Sequence, residues 1–173
     1  VPFTFSDSFK EITTRLSGNA VEATLSNDLN SFTEALLFTH RGLSGPSSLQ
    51  LSNYWDVGQS FKVDFLPSID LFDFFKAKKQ SQPKVLLRTL LTEHLPKSVV
   101  LELQNLIWTE VAETSIGNIS DDKLEQIAKR LSGFELKPSG TEGYRTAEVT
   151  LGGVDTTEVS SKTMESKKQK DLY

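Results

Sequence analysis

The side chains best suited to chemistry in this chain sit together in Thr39-His40-Arg41-Gly42-Leu43-Ser44-Gly45-Pro46. An imidazole, a guanidinium and a hydroxyl interleaved with two glycines form the kind of group that holds an anion. The apolar run Ala35 to Phe38 predicts a strand leading in. Pro46 predicts the first turn of a helix, where its missing N–H has no intrahelical partner to lose, with Ser44 or Gly45 as cap. That helix is expected to run to Tyr54 or Trp55 and to be stopped by Gly58. A strand passing through a tight loop into a helix would present backbone N–H groups and the positive end of a helix dipole to a ligand. His40, Arg41, Gly42, Ser44 and Gly45 are therefore the candidate substrate or anion loop. The alternative is a capped turn that binds nothing.

Other chemistries fit less well, and no catalytic residue is assigned. Ser44 four residues after His40 invites a serine-hydrolase reading, but the stretch lacks the second glycine of a nucleophile elbow, and triads do not place base and nucleophile in one loop. With two histidines and no cysteine, a metal site would need carboxylates, and no spaced acidic motif is present, so no metal is expected. His94, beside the Leu87, Leu91 and Leu95 stripe, reads as a partly buried packing residue. A Gly-x-Gly-x-x-Gly dinucleotide fingerprint is absent. Trp55 and Trp108 are expected to anchor cores.

Composition narrows the class. With 173 residues and 37% hydrophobic content, the chain can bury a real core. A net charge of -4 and a pI near 5.3 argue against a nucleic-acid partner, since phosphate contacts want a concentrated basic face. The cluster Lys162, Lys167, Lys168 and Lys170 is interleaved with Glu165 and Asp171, which reads as a solvated turn. No apolar run spans a bilayer and no signal peptide is visible, so neither membrane nor export is expected, and the absence of cysteine fits the cytoplasm. A start without Met and an end at Leu172-Tyr173 suggest a piece of a longer polypeptide.

Positioning falls to three blocks. The first reads as short strands, Glu11 to Leu16, Val21 to Leu25, Phe32 to Phe38 and Ser60 to Leu66, with period-two burial clearest at Val21, Ala23 and Leu25. From Asp70, a cap, the period becomes helical. Pro83 and Pro96 are each expected to open a helix, and Ser120 caps a last one ended by Gly133. Strands return at Phe134 to Leu136 and Tyr144 to Leu151. The fold class is thus α+β: an antiparallel β lobe, residues 1–68 and 134–173, interrupted by a helical subdomain at 69–133.

Four blocks carry a resemblance: Leu37 to Pro46, Leu49 to Trp55, Ala147 to Val154, and Met164 to Lys167. They resemble the bacterial NAD(P)/FAD-dependent flavoproteins with a large insert domain, the family that includes aminoacetone oxidase. The resemblance implies that this chain is the insert, a translation-factor-type β barrel carrying a helical subdomain. FAD would be bound mainly by sequence outside the chain, with NAD(P)H as candidate donor, and the chain alone would be inactive. Gly152, Gly153, Val154, Met164, Glu165 and Ser166 match blocks that return towards the flavin-binding domain and become the candidate cofactor contacts. Asp171 stands where that family often has glycine. The implied partners are the remainder of the flavoprotein and a small-molecule substrate. A free-standing module with an anion- or partner-binding cleft is the competing reading.

Overall fold

The computed structural model describes residues 1–148 and 152–173. Among them, seven strands form one antiparallel sheet: β1 (Phe3–Thr4), β2 (Ala20–Ser26), β3 (Ser31–Thr39), β4 (Gly42–Ser44), β5 (Phe61–Asp64), β6 (Phe134–Leu136) and β7 (Gly140–Thr141), in the order β6-β5-β2-β3-β4-β1-β7. The edge strands β6 and β7 are joined only by residues 137–139. So short a connection reaches about 14 Å at most, so the two edges lie close and the sheet curls into a barrel. Val21, Ala23 and Leu25 of β2 point inward beside Leu36, Phe38, Leu43, Phe61 and Val63, all buried. The period-two reading of these strands holds.

The segment expected as a strand at Glu11 to Leu16 is instead helix α1 (Ser8–Arg15). The β-branched run Ile12-Thr13-Thr14 favours strand by propensity. Tertiary packing overrides it: Asp7 caps the helix by accepting from Phe9 N–H, and Phe9, Ile12, Thr13 and Leu16 are buried at helical spacing. The Thr13 and Thr14 hydroxyls both donate to the Lys10 carbonyl.

A second correction concerns the central loop. The chain does not pass from strand through loop to helix; residues 39–42 turn a β3–β4 hairpin, with Phe38 opposite Leu43 and Thr39 opposite Gly42. Helix α2 (Pro46–Leu51) begins only after this extra strand, and a 3-10 turn continues it to Tyr54. Gly42 is needed because β1 runs against it: a Cβ there would lie 2.1 Å from the Phe3 carbonyl oxygen.

The helical block contains α3 (Leu71–Ser81), α4 (Leu87–Leu91), α5 (Lys97–Ile107) and α6 (Asp121–Leu131). Asp70 and Ser120 cap as expected, accepting from Asp73 N–H and Lys123 N–H. Pro83 opens no helix. The Pro83 and Val85 carbonyls accept from Gly117 N–H and Ile116 N–H, Val85 N–H closes a turn on the Gln82 carbonyl, and Leu86 bridges Ser115, so Pro83 sits in a turn and α4 starts late. Trp108 and Trp55 are buried, one in the helical block and one edge-on to Phe3 in the barrel. The buried residues form one continuous cluster through both parts, and Phe65 N–H donates to the Leu131 carbonyl of α6 at 3.2 Å where the two meet.

The expected strand from Tyr144 also fails in its described part. Gly143 at φ 72° turns the chain, and Tyr144–Thr146 is an exposed 3-10 turn, because β7 already occupies the free edge of β1. Val149, Thr150 and Leu151 lie outside the described residues.

Candidate functional site

His40 and Arg41 occupy the hairpin tip, both exposed. Two of the backbone donors there are already engaged, since the Thr39 hydroxyl oxygen accepts from Arg41 N–H at 3.3 Å and Gly42 N–H at 3.1 Å. The tip carbonyls are tied to the barrel, His40 C=O accepting from the Thr14 hydroxyl and Arg41 C=O from Phe5 N–H. What reaches outward is side chain. Arg41 Nη1 lies 3.8 Å from Glu142 Oε2, with the arginine side chain 60% exposed and the glutamate 15%. At that distance and exposure the pair is loosely held, so the guanidinium can turn to an external anion.

Ser44 lies in β4 opposite Leu37, while Gly45 has φ 88°, where a Cβ would meet the Ala35 carbonyl oxygen at 2.5 Å. The two glycines serve close packing of the chain against itself. Ser47 and Ser48 donate to the Ala35 and Leu43 carbonyls, which fixes the start of α2 against the sheet.

The second group lies in the C-terminal segment. Gly152, Gly153 and Val154 are exposed, with φ of 99° and 115° at the glycines and open space on the side where either would carry a Cβ. Beyond them Val159 bridges Ser166, Ser160 N–H donates to Glu165 C=O at 2.8 Å, and Ser166 N–H donates to Leu172 C=O at 2.7 Å. Met164 and Asp171 both adopt left-handed φ, 61° and 63°, a conformation that explains a glycine preference at the second. Asp155 accepts from both the N–H and the hydroxyl of Thr157, and these bonds hold its carboxyl below the usual aspartate range. Val154, Met164, Leu172 and Tyr173 are all exposed. Among the described residues, hydrogen bonds of 152–173 stay within that segment, and no hydrogen bond or ion pair joins it to the hairpin tip.

At Gly152 and Gly153 the bare backbone is open to an approaching group. These residues do not form a dinucleotide cradle: among the described residues every strand pair is antiparallel, whereas such a cradle is built on a parallel β-α-β unit. Among the described residues, no group of three metal-ligating side chains occurs, and no helix is long and apolar enough to cross a membrane. His94 is exposed and edge-on to Phe74, not partly buried.

A further site had no signal in any single segment. A cavity of about 620 Å³ lies between the β2–β3 turn and the start of β5, with Glu135 of β6 at its far wall.

Residues 1–149 match the family described as "HI0933-like protein barrel and H2TH domain". The chain is 42% identical over 174 residues to the ribosomal RNA dihydrouridine synthase of Escherichia coli K12. It is 44% identical over 177 residues to the protein of the same name from Haemophilus influenzae. All of this chain is covered in both comparisons, but only 43% of each relative. Relatives named for ribosomal RNA overturn the exclusion of a nucleic-acid partner, and with it the expectation of a small-molecule substrate. The exclusion rested on a net charge of -4, which sums over the whole chain and is silent about local placement of cations and about stacking surfaces.

Proposed function

The chain belongs to the family of HI0933-like protein barrel and H2TH domains, and from that premise we propose that it is the substrate-side insert of a longer flavin-dependent oxidoreductase that forms dihydrouridine in ribosomal RNA. The observation that carries this reading is the end-to-end identity of 42% and 44% with 43% of two ribosomal RNA dihydrouridine synthases. Converting uridine to dihydrouridine is a two-electron reduction of a ring double bond, and flavins supply hydride for such steps. The four blocks shared with the flavoprotein family that includes aminoacetone oxidase support FAD as that flavin and NAD(P)H as its reductant.

In this reading the dinucleotide is held by sequence outside the chain. Gly152, Gly153, Val154, Met164, Glu165 and Ser166 meet the flavin-binding part, and the exposed apolar groups Val154, Met164 and Leu172 are covered by it. The barrel presents RNA to the flavin. Arg41, with His40 beside it on the hairpin tip, binds an RNA phosphate by exchanging its loose contact with Glu142, because guanidinium groups bond phosphate in a fixed two-pronged geometry. The compartment is the cytoplasm, where ribosomes are.

The test is genetic and chemical. Deleting the gene should remove dihydrouridine from ribosomal RNA, read by mass spectrometry of digested nucleosides, and the full-length protein with its flavin should restore it. Unchanged dihydrouridine in the deletion strain would sink the proposal.

A further inference from the structure

The cavity of about 620 Å³ beside the β2–β3 turn falls in the roughly 300–1,000 Å³ range of ligand sites. Asn27, Asp28 and Leu29 line it from the turn, Gln59 from the approach to β5, Lys62 from β5 itself, and Glu135 from β6. Neighbouring segments, β3 and the 3-10 turn after α2, build an aromatic step beside it. The rings of Phe32 and Tyr54 stack with centroids 5.8 Å apart and planes 22° from parallel. Asn27 Nδ2 donates to the Tyr54 carbonyl at 2.6 Å, fastening the step to the cavity wall. Leu29, on the cavity wall, is 75% exposed, and Tyr54, held to that wall through Asn27, is 44% exposed.

Some polar groups of the wall are spent on the fold. Asn27 Oδ1 accepts from Leu29 N–H and Asn30 N–H, and Gln59 Oε1 accepts from Asp56 N–H. Others are available. Lys62 and Glu135 face each other across β5 and β6, yet among the described residues neither enters an ion pair. The Gln59 side-chain N–H groups are likewise without a partner there.

One cation among two carboxylates, Asp28 and Glu135, does not suit a run of phosphates. It suits an uncharged ring that offers a π-face for stacking and both donors and acceptors at its edge, which is the description of a nucleobase. Single-stranded RNA is recognised in this way, by bases splayed onto aromatic side chains and read along their edges. We propose that this cleft takes one unstacked nucleotide of a single-stranded RNA segment, its base on Tyr54, its edge towards Gln59 and Glu135, and its phosphate near Lys62. The proposal rests on the reading that the protein acts on RNA.

The experiment is fluorescence anisotropy of a fluorescein-labelled oligouridine with the full-length protein. Loss of one stacked base weakens binding by roughly five- to a hundredfold, so Tyr54→Ala should fall in that range while Tyr54→Phe binds as the parent does. Lys62→Met, a change at an exposed position, should weaken binding and lower the salt slope by about one unit. Parental affinity in both Tyr54→Ala and Lys62→Met would overturn the cleft alone, including the case in which a protein partner occupies it. Absence of binding by the parent protein would overturn the cleft together with the RNA reading.

Discussion

At the level of single residues, the hairpin tip separates functional from structural roles. Arg41 is exposed and loosely paired, so Arg41→Ala in the full-length protein should leave the melting temperature unchanged while raising KM for RNA. Loss of a charge-assisted contact implies about 1–3 kcal/mol; unchanged kinetics in both Arg41→Ala and His40→Ala would remove the tip from the site. Gly45→Val should do the reverse. It places a branched side chain at φ 88° and drives Cβ into the Ala35 carbonyl, a combination of backbone strain and overlap that costs roughly 3 kcal/mol, visible as a lowered denaturation midpoint. The types His40, Arg41, Gly42 and Gly45 were legible as a cluster. Occupation of the Arg41 and Gly42 N–H groups by Thr39 was not, because it depends on a rotamer fixed by the hairpin.

Among the elements, the caps were legible and the packing partners were not. Asp70→Ala and Ser120→Ala should each lower stability by about 1 kcal/mol, measurable by urea titration, since each removes the acceptor for a helix N–H. Across elements, Arg15 of α1 grips Glu102 of α5 through two bonds, 2.6 and 2.9 Å, tying the barrel side to the helical block. The arginine's hydrogen bonds hold the Glu102 carboxyl below the ordinary glutamate range. A group with a lowered folded pKa leaves the unfolded state binding more protons, so stability rises with pH across that window. The stability difference between parent and Glu102→Gln should be fully present above about pH 5 and fade as pH falls through 4 and below. A difference constant with pH would show that the pair contributes nothing through charge.

For the molecule as a whole, two proposals concern what belongs with what. We propose residues 69–133 as a helical subdomain carried on the barrel, with first proteolytic cuts at 67–70 or 132–143; early cleavage within α5 would contradict it. We also expect the chain by itself to hold FAD weakly. Mixing the two should give no stoichiometric flavin complex by visible absorbance, and a tight one would place the main flavin site within these residues. Net charge misleads about partners at this scale because it averages over surfaces, whereas a nucleobase site needs an aromatic step and edge groups rather than a basic field.

The sequence by itself determined what short-range physics controls. Alternation at Val21, Ala23 and Leu25 and at Phe61 and Val63 required sheet faces, and Asp70 and Ser120 with the apolar stripes behind them required helices, because side-chain direction repeats every two or 3.6 residues. Tertiary structure decided the rest. Strands β1 and β7 are two residues each, too short to carry a period, and exist because Phe3 pairs with Thr141 far along the chain. The β-branched turn of α1 became helical because its buried face and Asp7 outweighed local propensity. The cleft gathers residues 27–29, 59–62 and 135 only once β2, β5 and β6 pair, since no local pattern records which distant segments will share a rim.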